Sequence, residues 1–170
     1  VDAIREKQTQ FRELMMQADT QIDYSNFDEA ESLLSQAEEL NINKADINDL
    51  RNKIASKKKA KRYEELLTLA NSHIECNNFD EAESILAQAE EFTVSTAKIV
   101  ATRQRIAAKK KVQFEDKIAL SDAIYSEAKS LFEAANLELA LAKFQEVQDL
   151  GVRDVNTEIR KCNNTMTMRE

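Results

Sequence analysis

Apolar residues recur along this chain three and four apart, the spacing that lines one face of a helix. From Tyr63 to Cys76, the residues Leu66, Leu67, Ala70, His73 and Ile74 fall on one broad face. A second face follows from Asn78, built by Phe79, Ala82, Ile85, Leu86 and Ala89, whose small alanines allow close helix approach. The Asn77–Asn78 link is too short for anything but an antiparallel helical hairpin. Asn78 followed three residues later by Glu81 predicts a capping box, with the Asn side chain accepting from a free backbone N–H. Asn26 and Glu29 predict the same.

The pattern is written more than once. "NFDEAESLLSQAEE" begins at Asn26 and "NFDEAESILAQAEE" at Asn78, an offset of 52, which also pairs Phe11 with Tyr63, Ala18 with Ala70 and Ile22 with Ile74. A more diverged third copy aligns at a further offset of 58, placing Ile124 on Leu66, Ala128 on Ala70, Phe132 on Ile74 and Asn136 on Asn78. A fixed period of this length signals stacked copies of one supersecondary unit, each too small to bury its apolar face alone.

These hairpins resemble tetratricopeptide repeats. Leu66, Leu69, Ala70 and His73, then Ala82, Leu86 and Ala89, follow that family's spacing of large and small residues; Ile124, Ala128, Leu131, Ala140 and Phe144 do so in the third copy, and Leu14, Ala18, Ala30, Leu34 and Ala37 in the first. The family period is 34, so the first interval carries 18 extra residues, about five turns of continuous helix. One long helix is therefore expected over Lys44 to Cys76 and a second over Thr96 to Ala135, with a break near Lys57–Lys59 or Lys109–Lys111 as the alternative. The expected whole is an all-α, tetratricopeptide-like α-solenoid, one repeat domain over 1–170 within a longer protein. Its hairpins fall at about 11–42, 63–94 and 121–151, its helical extensions at about 44–62 and 96–120, and a C-terminal helix and tail at 152–170.

Composition agrees with helix: the chain has one Gly and no Pro, and Ala, Leu, Glu, Gln and Lys dominate. The same scarcity predicts few tight turns of positive φ. A net charge of −7 argues against general polyanion binding through the whole molecule's field. Cys76 and Cys162 match neither a disulfide framework nor a zinc site, and imply reduced thiols and a cytoplasmic setting. No apolar run approaches the roughly twenty residues of a membrane span.

Chemistry is scarce. Asp28, Glu29 and Glu31, with Asp80, Glu81 and Glu83, lie in first helical turns, where carboxylates complement the macrodipole without any ligand. His73 and Cys76 stand three apart, but Gln21 and Tyr24, then Leu131 and Ala134, replace them in the other copies, which points to packing rather than metal. With a single His, no nucleophile–base pair is in view. No enzyme, cofactor or metal is therefore expected.

Two surfaces remain. Met15 and Ile22, Leu67 and Ile74, and Tyr125 and Phe132 occupy the positions at which, by the resemblance, first helices line a concave groove for a protein or peptide, with Asn71 beside them. Packing against neighbouring hairpins is the other use of such stripes. The basic runs Lys57, Lys58, Lys59, Lys61 and Arg62, and Lys109, Lys110 and Lys111, recur in register and would suit nucleic acid or anionic membrane; charge runs also serve simply as solvated helix surface. Long exposed helices add self-association as a third route. The first expectation is a non-catalytic protein-interaction or scaffold module.

Overall fold

The computed structural model describes residues 2–168, which form seven helices and no strand. They are α1 (Asp2–Asp23), α2 (Phe27–Glu39), α3 (Lys44–Glu75), α4 (Phe79–Glu90), α5 (Thr96–Glu133), α6 (Leu137–Asp149) and α7 (Asn156–Thr167). Both long helices run unbroken through their lysine runs, so the alternative of a break there is set aside. Nothing in those runs interrupts a helix: they hold Ala, Lys and Arg, without Gly or Pro. The expected C-terminal helix is α7; the last two residues of the tail lie outside the described part. The chain divides into two compact units, residues 1–103 and 104–170, with the boundary inside α5.

In the first unit α1 and α2 close on each other, and the N-terminal half of α3 covers the pair. Phe11, Ala18 and Ile22 of α1, Ala30, Leu34 and Ala37 of α2, and Ile47 and Ile54 of α3 share one core. Each fully buried Ile or Leu there contributes about 1.5–3 kcal/mol relative to exposure. The other half of α3 buries Tyr63, Leu66, Leu67, Ala70 and Ile74 and packs on α4, which buries the five residues of its anticipated inward face. Thus α3 works twice, as the third helix of one hairpin and the first of the next. That double use explains why its apolar face changes direction partway along an unbroken helix.

The second unit repeats the arrangement with a shorter third element. Ile124 and Ala128 of α5, Ala140, Phe144 and Val147 of α6, Val155 at the N-cap of α7 and Cys162 within α7 form its core. Val155 and Cys162 stand seven apart, as Ile47 and Ile54 do, two turns along one helix face. Upstream of this core every residue from 110 to 120 is exposed, including Val112, Phe114, Ile118 and Leu120.

The turns overturn one sequence expectation. Positive φ occurs at Ser25, Asn41, Asn77, Thr93 and Ala135 as well as at Gly151. Ser25, Asn77 and Ala135 end first helices, and Asn41, Thr93 and Gly151 end second helices, at the same offsets of 52 and 58 as the sequence copies. Glycine makes such turns cheap but is not required for them. At the first set the amide beyond the turn residue returns to a carbonyl five residues back: Asn26 to Gln21, Asn78 to His73 and Asn136 to Leu131, each at 2.9 Å. This is the Schellman closure of a helix end.

The same turn dissolves the anticipated capping boxes. Asn26 and Asn78 do occupy N-cap positions, and Asn136 joins them, but none of the three side chains caps a backbone amide. Their ψ angles of 66, 71 and 73° follow from the tight link and depart from the extended backbone usual at an N-cap. The Asn26 amide nitrogen instead donates to Gln21 Oε1 at 2.8 Å. Asn43, at φ −141° and ψ 99°, is the asparagine that does cap, accepting from the amides of Ala45 and Asp46.

Candidate functional site

The first-helix positions singled out as a groove divide into two groups. Ile22 and Ile74 are fully buried and Leu67 retains 7% exposure, so in the first two hairpins these side chains are core, not groove wall. Met15 is half-buried against the first core. Asn71 is half-buried, and its side-chain amide donates to the Leu67 carbonyl at 2.9 Å. At the third hairpin, Tyr125 and Phe132 stay partly exposed and line a cavity of about 280 Å³.

That cavity lies wholly within the second unit. α5 supplies Tyr125, Lys129, Phe132 and Glu133, one helix face at three- and four-residue spacing; α6 supplies Phe144; α7 supplies Glu158 and Lys161. Tyr125 and Phe144 meet edge to face at 5.7 Å between centroids. The Tyr125 hydroxyl donates to Glu158 Oε1 at 3.2 Å, and the Arg153 guanidinium stacks over the Tyr125 ring at 4.3 Å while reaching Asp122 Oδ1 at 2.5 Å. Burial, and then the bond to Glu158, push the Tyr125 phenol above its ordinary pKa, so it stays protonated and donating at neutral pH. Three aromatic rings thus form a fixed apolar lining, with the ammonium groups of Lys129 and Lys161 beside it. Neither lysine is ion-paired among the described residues.

Compared with family models, with curated proteins and with solved structures, the chain matches none.

The basic runs are largely engaged. Lys57 pairs with Asp23 at 2.7 Å, Lys58 lies 5.7 Å from the centre of the Phe27 ring, Arg62 pairs with Glu65 at 3.3 Å, and Lys111 with Glu115 at 3.7 Å. Lys109 and Lys110 also make interactions. Lys59 and Lys61 are exposed, and Lys61 borders a shallow depression along α3 with Glu64, Glu65 and Leu69. Local acids thus offset much of the positive field that a polyanion would need.

His73 is half-buried and Cys76 exposed, while Cys162 lies in the second unit's core, where burial raises its thiol pKa. Among the described residues no three His, Cys, Asp or Glu side chains are grouped as metal ligands would be, and no helix is long and apolar enough to cross a membrane.

Sequence reasoning placed Tyr125 and Phe132 on a common face but missed the contribution of α7. The available signal was local: Lys161 immediately precedes buried Cys162 just as Lys53 precedes buried Ile54.

Proposed function

We propose that this chain is a non-catalytic interaction module, a tetratricopeptide-like α-solenoid with lengthened helices, that binds a peptide segment of a protein partner at its third hairpin. The supporting observation is the aromatic cavity between α5, α6 and α7: Phe132 is partly exposed there, at the position where Ile22 and Ile74 are fully buried in the first two hairpins. Pre-formed apolar pockets bordered by a few polar groups are the usual form of a binding site. A short peptide laying alternate side chains into such a pocket needs little rearrangement of the receptor.

The competing reading, electrostatic binding of nucleic acid or anionic membrane, draws on Lys59 and Lys61 and on the recurrence of the lysine runs. It is weakened by the ion pairs that tie up Lys57, Arg62 and Lys111.

Selection from an unbiased displayed-peptide library against the full chain tests the proposal. Enriched peptides are expected to lose at least tenfold in affinity to Phe132→Ala and Tyr125→Ala, and to keep their affinity for Lys59→Glu, Lys61→Glu. Enrichment of peptides indifferent to both cavity substitutions, or no enrichment, would remove the reading.

A further inference from the structure

Corresponding positions of the first and third hairpins carry opposite charge relationships. In the first, Asp19 directly follows buried Ala18 on α1, and Lys53 directly precedes buried Ile54 on α3; the two side chains pair at 2.6 Å. Asp23, one turn further on, also reaches Lys53, at 3.2 Å. The cation of the third helix is therefore neutralised by the first. In the third hairpin, Lys129 directly follows buried Ala128 on α5, and Lys161 directly precedes buried Cys162 on α7. Both corresponding positions are now cationic, and both line the aromatic cavity.

Two like charges at a place where a homologous hairpin holds an ion pair leave room for an anion from elsewhere. Of the carboxylates on the same lining, Glu158 already accepts from the Tyr125 hydroxyl, and neither it nor Glu133 is within ion-pairing distance of Lys129 or Lys161. The aromatic floor of Tyr125, Phe132 and Phe144 favours a large apolar group next to that anion. Arg153, stacked on Tyr125, is already paired with Asp122, so Lys129 and Lys161 are the cations the lining offers.

We infer that the third-hairpin cavity takes an acidic–aromatic peptide segment, with an aspartate or glutamate side chain held between Lys129 and Lys161 and the neighbouring ring seated on Phe132. This names the partner chemistry for the site proposed above and rests on that reading. Recognition falls on a side-chain carboxylate, so it operates within a chain as well as at its end.

The test uses the full chain and a fluorescein-labelled, N-acetylated, C-amidated twelve-residue peptide carrying alternating aspartate and phenylalanine, read by fluorescence anisotropy. A second peptide has every aspartate replaced by asparagine. The acidic peptide is expected to bind at least tenfold more tightly than the neutral one and to weaken several-fold between 50 and 300 mM salt, as screening of a partly exposed ion pair requires. Lys129→Asp recreates the first hairpin's Asp–Lys arrangement. It is expected to abolish acidic-peptide binding while raising the thermal midpoint, so lost binding cannot be ascribed to lost folding. Equal binding of the two peptides, or unchanged acidic-peptide binding to Lys129→Asp, overturns the acidic preference and leaves the aromatic groove standing. Absence of acidic-peptide binding overturns it as well, and the library selection then decides the broader reading separately.

Discussion

Arg51 on α3 reaches back to Glu38 on α2 at 2.8 Å and also touches Glu31 at 3.4 Å; fifty-two positions later Arg103 on α5 does the same to Glu90 and Glu83 of α4. One guanidinium thus spans the two ends of each second helix's outer face and ties it to the helix that covers it. Both carboxylates raise the Arg51 pKa, that of Glu38 more, and a planar fork suits such twofold contact better than a lysine does. With the Arg51 side chain 33% exposed, each fork is worth about 0.5–1 kcal/mol. Arg51→Ala is expected to lower the denaturant midpoint by that amount with an unchanged m-value, and Arg51→Lys to recover only part of it. No change in midpoint for either substitution would count against a structural role.

The left-handed turns carry a cost that glycine relieves. Thr93 holds φ at 52° despite its branched Cβ, and Ala135 holds 61°. Thr93→Gly and Ala135→Gly are each expected to stabilise the chain by about 1 kcal/mol, less the entropy glycine loses on folding. Gly151→Ala, at φ +70° with open space around the added Cβ, is expected to destabilise by a similar amount through backbone strain alone. Urea titrations of the three variants check the sign of each.

Ser121 is 1% exposed, and its hydroxyl has no hydrogen-bond partner among the described residues. Phe11 and Tyr63 hold the corresponding position in the earlier hairpins, and the Tyr63 hydroxyl donates to the Ser95 carbonyl. Ser121→Ala removes an unsatisfied polar group and favours helix, so a gain of about 1 kcal/mol is expected from equilibrium unfolding. A loss of stability would mean that the hydroxyl is satisfied in solution.

Acid sensitivity centres on Asp23. Hydrogen bonds from Lys57 and then Lys53, with their charges, hold its carboxyl below the ordinary pKa. A carboxylate whose folded pKa is depressed adds stability that is fully present above the unfolded value near 4 and is lost as pH falls through the folded value. Asp23→Asn is therefore expected to cost stability at pH 7 and to flatten the decline as pH falls below the ordinary carboxylate value. Parallel pH profiles of variant and parent would argue against this coupling.

Much of the fold was legible because its signals are periodic. The continuous helices α3 and α5 end within two residues of their expected limits, Cys76 and Ala135, since neither run contains a breaker where the apolar stripe lapses and resumes. The turn chemistry was hidden because composition treats glycine as a condition for positive φ, whereas Schellman closure holds Ser25, Asn77 and Ala135 there. The cavity was half visible. Tyr125 and Phe132 announce a shared face, but the same pattern at Ile22 and Ile74 is buried, and only the covering helix decides between the two outcomes. That decision depends on α7, whose register comes from Val155 and Cys162, residues too diverged from Ile47 and Ile54 to align by eye.

Amide chemical-shift mapping of the isotopically labelled full chain with a library-selected peptide tests most directly whether the third hairpin is the place of contact. Perturbations are expected to cluster at Tyr125, Lys129, Phe132 and Lys161. Perturbations confined to Lys57 through Arg62, or spread without preference over the helices, would contradict it.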